Sequence, residues 1–544
     1  GYEYSSVSEL EIISSHSYVG GIVGFMARET DTIGGIVRNL NVINEIHGFY
    51  SLGTIAGYAE FGKIENCACD EPQVFVENTY FENGVAKAED VGKLSGFNYG
   101  GIAGTLAGDA RIERCSKVNT LGTKKPIALE GDANLGGIVG YMIGGTLTGN
   151  VVSGQTDIKA TSGNIYVGGI VGFLDGGKLE GRNESSSNVI ASNLQIAYTV
   201  AGGRIGLVKR GVVDGGTDVN NPKIVAKSGS VRAEEAAGGI IGRVLVNSNP
   251  IANTVLIKNV SSTEKLSVYI TVNNGFGSAG GIIGNISVSG SSSEEDGVVI
   301  ENSKSSAKVG NNQENFSGGI IGSIFSTIVD RENNVMFIKV KNCVYSSKSD
   351  ASGNLTTITS APKDSSDMNT ASFTGGIVGY LRNGQIIDCE VITGSVGSSS
   401  TYIAGGIVGY VSGGTISNCK TSNGSVNASF VAGGIIGIAE SNTTLRGDYI
   451  INGSVIKAQI AGGNIGVLSG SDSEVSTDTN IKNTAVVGSS DDTAPNVSKI
   501  AGGNIGVFNG LRNPVLSGLI NEGDVFAYDE RDIDNIEGYQ INHI

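Results

Sequence analysis

The stretch Ala404-Gly405-Gly406-Ile407-Val408-Gly409-Tyr410-Val411-Ser412-Gly413-Gly414-Thr415-Ile416-Ser417-Asn418-Cys419 decides the fold. A glycine pair, two aliphatic residues, a third glycine and an aromatic lead into a glycine turn and a second apolar segment. The block returns about fourteen times, from Gly20-Gly21-Ile22-Val23-Gly24-Phe25 to Gly502-Gly503-Asn504-Ile505-Gly506-Val507, at intervals of roughly 28 to 57 residues. Between these ends it begins at Leu52, Gly100, Gly136, Gly168, Gly202, Gly238, Gly280, Gly318, Gly375, Gly405, Gly433 and Gly462. A period in this range marks a solenoid, a propeller or another array.

The residue before the third glycine is aliphatic in every copy, as in Val23, Val139, Val171, Val378, Val408 and Ile436. It must face a core. Its predecessor is usually Ile but becomes Arg204, Asn464 and Asn504 in three copies, which predicts a place on the opposite face, open to water or to another element. The row of Ile from Ile22 to Ile435 then needs a cover, from this chain or by lateral self-association. Such a split fits a pleated strand and not a helix. The third glycine never changes, from Gly24 through Gly140, Gly172, Gly379, Gly409 and Gly437, so it marks a close backbone approach, a bend or a positive φ.

Three short strands per roughly 30 residues make one coil of a β-solenoid. Coils stacked about 4.8 Å apart pair each strand in parallel with its counterpart, and about fourteen of them rise roughly 65 to 70 Å. The crossover rule makes the coil right-handed. The expected fold is therefore all-β, a right-handed parallel β-helix; a propeller, with its 4 to 8 blades, is the competing architecture. Residues 1–510 are read as the solenoid, with inserted loops at about 70–99 and 323–374. Residues 511–544 lack the motif and read as a cap or a junction to the next region.

Composition narrows the function classes. The 544 residues include 84 Gly and only 7 Pro without a Gly-X-Y period, and 39% are hydrophobic, which excludes collagen and a disordered linker. A net charge of -16 and a pI near 4.8 oppose nucleic acid and anionic membranes. No apolar run approaches a membrane span of about 18 residues. The chain opens on Gly1-Tyr2-Glu3, with no basic-then-apolar leader, and is read as a processed or excised piece of a longer secreted protein.

Of the six cysteines, Cys67, Cys115, Cys343, Cys389 and Cys419 share one place in the repeat, where other copies carry Asn150, Val260 and Ser303. The position asks for a small residue, and buried thiols are the reading. Cys389 and Cys419 fall in adjacent units, but strands about 4.8 Å apart give a poor disulfide geometry. Cys67 and Cys69 form a lone Cys-x-Cys, too little for zinc.

Units such as Ala404 to Cys419 resemble the GLUG-motif repeat of large bacterial surface and secreted proteins, including adhesins and regions that accompany immunoglobulin A metallopeptidases. The resemblance implies an extracellular, non-catalytic scaffold. The peptidase chemistry does not carry over: it needs His-Glu-x-x-His, and the chain has only His16, His47 and His543.

Right-handed β-helices also host polysaccharide lyases and hydrolases, and Asp388 beside Glu390 is a candidate acid pair. The absence of Trp and an aromatic content of 6% weigh against a sugar-gripping cleft. Glu294-Glu295-Asp296, Asp364 with Asp367 and Asn369, Asp491-Asp492, and Asp532 with Asp534 and Asn535 are candidate calcium ligands, with Asp532 and Asp534 first, though none matches an EF-hand or the glycine-rich nonapeptide. The aromatics after the third glycine (Phe25, Tyr58, Tyr141, Phe173, Tyr380, Tyr410) predict a ladder packed at a coil corner or a ligand-binding strip. Asn-x-Ser/Thr triplets, including Asn183, Asn259, Asn285, Asn427 and Asn496, permit glycosylation. The leading expectation is a stalk, spacer or fibre-forming surface protein without cofactor, partnered by itself or by a host or cell-surface protein or glycan. A glycan-binding or glycan-cleaving β-helix is the alternative.

Overall fold

In the computed structural model the described residues form strands and turns, with no helix. The structure describes residues 5–7, 12–13 and 18–527, except 28–33, 43–44, 48–49, 70–72, 76–78, 83–84, 89–96, 119–120, 123–130, 161, 194–197, 219–220, 248–254, 273–275, 290–296, 328–336, 350–352, 362–370, 441, 448, 451–454, 471–472, 476–480, 489–497, 499, 510–514 and 518. The chain divides into two units, Gly1–Lys308 and Val309–Ile544.

Each coil contributes to three parallel sheets. In the coil quoted above, Ile403–Gly405 lies in the first sheet, Val408–Ser412 and Gly414–Ser417 in the second, and Lys420–Asn427 in the third. The first unit places eight strands in the first sheet, from Tyr18–Gly20 to Ser278–Gly280, and the second unit six, from Phe316–Gly318 to Ile500–Gly502. Register is residue for residue: Gly318, Gly375, Gly405, Gly433, Gly462 and Gly502 pair in succession, as do Gly20, Gly53, Gly100, Gly136 and Gly168 in the first unit. This is the stacked parallel architecture of a β-solenoid.

Three glycines per coil answer three steric demands. A Cβ on Gly405 would strike the carbonyl of Val408, because the chain bends back on itself after the pair. One on Gly406 would strike the carbonyl of Gly434 in the coil that follows, and would also meet Thr421 Cγ2 of the third sheet at 2.5 Å. One on Gly409 would lie 2.6 Å from Gly379 O and 2.8 Å from Thr374 O, the backbone of the coil before. Close approach, rather than positive φ, fixes the third glycine.

The Ile row is not on an outer face. Ile55, Ile102, Ile138, Ile170, Ile240, Ile282, Ile320, Ile377, Ile407 and Ile435 are fully buried, and so are the aliphatic residues that follow them. The cause is the bend: Ile407 and Val408 both donate their N–H to the single carbonyl of Ile435, at 2.9 Å each, so the pleat is broken there. Both side chains then turn into the coil. Arg204 and Asn464 follow the same path and are buried too.

The second sheet passes to the third through a residue in the left-handed region: Asn66, Asn259, Asn302, Asn342, Asp388 and Asn418 have φ of 51 to 54°. Asn and Asp tolerate this conformation better than other non-glycine residues. The next residue points inward, which places Cys67, Cys115, Cys343, Cys389 and Cys419 in the core. All six cysteines are buried thiols, Cys389 and Cys419 included. Where Asn takes the thiol position, the amides bond from coil to coil, Asn150 Nδ2 donating to Asn183 Oδ1 at 3.1 Å.

The long intervals contain regular structure. Within 70–99, Thr79–Glu82 and Val85–Ala88 form an antiparallel hairpin, and Phe97–Gly100 is already a first-sheet strand. Within 323–374, Ile338–Lys341 joins the second sheet and Val344–Ser346 the third. Beyond 511, Val515–Leu516, Leu519–Asn521 and Val525–Phe526 extend the second and third sheets of the last coil.

Candidate functional site

Outside the coils, the first and second sheets meet in a crease. The residue after each third glycine points into it, opposite the residue two before each glycine pair. In the first unit the second-sheet side runs Phe25, Tyr58, Thr105, Tyr141, Phe173, Leu207, Arg243 and Asn285, each paired with the next. In the second unit it runs Ser323, Tyr380, Tyr410, Ile438, Val467 and Val507.

The rings stack along this register. Phe25 and Tyr58 lie 5.0 Å apart at 13°, and Tyr380 and Tyr410 5.2 Å apart at 5°. Phe316 and Phe373 stack at 5° on the opposite wall, and Phe373 tilts onto Tyr410 at 4.9 Å. Toward the end of the second unit the crease turns aliphatic, with Ile403, Val431, Ile438, Ile460 and Val467 buried together around Phe430. Rings stacked at the coil spacing turn their faces to each other, so they present edges to solvent. Burial pushes the Tyr380 phenol up, and the Tyr410 phenol further, with a bond to Glu440 adding to the second.

Two stretches of the first-unit crease are polar. Ser51 and Thr105 share a hydroxyl bond of 2.7 Å, and Asn134 Nδ2 donates to Asn98 Oδ1 at 2.8 Å. Further on, Arg243 Nη1 donates to Glu235 Oε1 at 3.0 Å and its Nη2 to Ser287 Oγ at 3.3 Å, next to Tyr166. Burial raises the Glu235 carboxyl, with Arg243 opposing. Tyr141 donates to Asp175 at 3.3 Å, and burial followed by the Asp175 charge pushes its phenol up to about 12. Asp175 in turn pairs with Arg210 at 2.8 Å. Apart from the Arg243–Glu235 pair, which lies within one coil, these groups bond to one another across neighbouring coils.

Among the described residues, two cations lie fully buried inside the coils. Arg204, in an Ile position, donates from Nη1 to Gly203 O at 3.0 Å, and burial lowers its guanidinium to about 9. Lys117 donates to Ser153 O at 3.2 Å and Gln155 O at 2.9 Å, and burial brings its amine down to about 7. Sequence reasoning placed Arg204 outside; its motif alignment with buried Ile was the signal for the opposite answer. Lys117 carries no such signal, since its segment lacks the glycine motif.

Gly24, Gly140, Gly172, Gly379, Gly409 and Gly437 stand at third-glycine rungs, beside Val23, Val139, Val171, Val378, Val408 and Ile436. Asp388 occupies an exposed corner, while Glu390 pairs with Lys420 of the next coil at 3.3 Å. That leaves no acid pair facing a common substrate position there. Asp532, Asp534 and the other acidic clusters considered for calcium lie outside the described residues, among which no group of three or more His, Cys, Asp or Glu gathers. Asn183, Asn259 and Asn285 are buried, so these triplets are closed to glycosylation in the folded chain. No protein-family model, curated protein or solved structure matches the chain.

Proposed function

We propose that this protein is a non-catalytic, extracellular β-solenoid that works as a stalk or spacer in a cell-surface or secreted assembly. The residue-for-residue parallel register of the glycine rungs carries the reading. Backbone groups, amides and many charges are spent on neighbouring coils: Lys63 reaches Glu113 at 2.9 Å, Arg114 reaches Glu65 at 3.0 Å, and Asn483 Nδ2 reaches Asn521 Oδ1 at 2.8 Å. A molecule so bonded resists deformation while offering little convergent chemistry. The resemblance to the GLUG repeat and the acidic surface support an extracellular place. The self-stacked rings of the crease make a sugar-binding strip the weaker reading.

A stalk must bear load. Pulling the chain from its ends by single-molecule force spectroscopy is expected to give successive small unfolding steps. Each should release about one coil, which for roughly 30 residues means about 100 Å of extended chain. A single all-or-none rupture, or extension without resistance, would remove the mechanical reading.

A further inference from the structure

Among the described residues Arg204 is the largest side chain sealed inside the coils, and it stands where the flanking coils carry Ile170 and Ile240. Its Nη1 donates to Gly203 O, while its Nε and Nη2 meet no acceptor among the described residues. In a guanidinium the Nε–H and one Nη2–H lie in one plane and point the same way, which makes them a fork that grips an anion side-on. Here that fork is the free edge. Glu184, whose charge reaches Arg204, lies on the outer side of its strand and is held there by Arg182 at 2.9 Å and Lys227 at 2.8 Å.

A guanidinium stays protonated at neutral pH, so a full positive charge sits in the core. A buried charge without a partner is far more costly than a buried polar group, and an opposite charge offsets that cost. The surroundings suit a small one. On the third sheet the inward row runs Val152, Ser185, Ala226 and Ser262 from coil to coil, each paired with the next. It is small in the Arg204 coil and in both its neighbours. A Cβ built on Gly169 would strike Gly203 O and come within 2.8 Å of Ser185 Oγ, so the Ser185 hydroxyl stands beside the carbonyl that takes Nη1. That sets a further O–H donor next to the guanidinium.

We propose that the Nε–Nη2 edge of Arg204 binds a small monovalent anion, a halide such as chloride, enclosed in the core of the first unit. Size selects the ion: Arg204 has no exposed surface, so an organic acid has no path by which its tail could leave. Charge selects it as well, since one negative charge balances one guanidinium. The site stands independently of the stalk reading, because it concerns the stability of one coil and not the load the molecule bears.

Urea unfolding of the full chain in mixtures of chloride and gluconate at fixed ionic strength tests it. Gluconate screens surface charge as chloride does but is too large to be enclosed. An ion that binds only the folded chain makes each tenfold rise in chloride, above its dissociation constant, raise the folded-to-unfolded ratio of the cooperative unit about tenfold. Arg204→Ile restores the residue of the flanking coils, and far-ultraviolet circular dichroism should show it folded as wild type is. It should not respond to the exchange of gluconate for chloride. In gluconate alone the variant should be the more stable of the two, and chloride should narrow the gap. Wild-type crystals grown in bromide should carry an anomalous peak on the Nε–Nη2 edge. A wild type indifferent to chloride, a variant that responds as wild type does, or bromide crystals with no peak on that edge would overturn the site.

Discussion

At Gly409 the backbone of the preceding coil leaves no room for a methyl group, whereas at Gly24, in the first coil, the nearest atom to an added Cβ is Tyr18 O at 3.5 Å. Gly409→Ala is therefore expected to destabilise by about 3 kcal/mol, the scale of an overpacked core, and Gly24→Ala to be nearly neutral. Denaturant titration of the two variants checks the contrast. Lys117 makes the second prediction at this scale. Its amine titrates near 10.5 when exposed and near 7 when buried here, with burial the leading cause. Between these values the unfolded chain holds a proton that the folded chain has released, so stability rises as pH climbs from about 7 toward 10.5. Below pH 7 both states are charged and the full burial cost remains. Lys117→Met should raise stability by about 2 to 4 kcal/mol at pH 6 and flatten the pH dependence above 7, measured by denaturation across that range. An unchanged pH profile would show that the amine is not held neutral.

At the scale of the strand and its corners, the pattern was legible where one residue type answers one demand. The invariant aliphatic before Gly409 reads as core, and Val408 is core. The alternation rule failed one position earlier, at Ile407, because a strand that bends directly after a glycine pair does not keep its pleat. Composition at a single site cannot report such a bend, although the absence of any Cβ at Gly405 and Gly406 is its cause. The left-handed corner was written in the sequence as Asn or Asp before Cys, at Asn66, Asn342, Asp388 and Asn418, and marked the passage between sheets. Asn418→Val puts a β-branched residue at φ 53° and should cost about 1 to 2 kcal/mol, while Asn418→Gly should be nearly neutral. Thermal unfolding of both variants separates this backbone requirement from a side-chain one.

For the whole molecule, the period of the motif was enough to choose stacked coils over a closed ring of blades. The crease was legible only in part: the aromatic row was visible, but its mutual stacking depends on a register that one repeat does not disclose. The polar stretch at Glu235 and Arg243 joins residues of the first-sheet corner and the second sheet that no motif links. In the second unit the second-sheet positions Lys339, Gln385, Thr415, Thr444, Glu474 and Val515 pair in succession, one per coil. Distances between paired spin labels on this line, measured by pulsed electron resonance in a chain with its six cysteines replaced, test the stacking directly. Labels at 339 and 474 are expected about 19 Å apart and labels at 339 and 515 about 24 Å apart, a growth of one 4.8 Å rung. Separations that do not increase by a rung with each coil would contradict the solenoid.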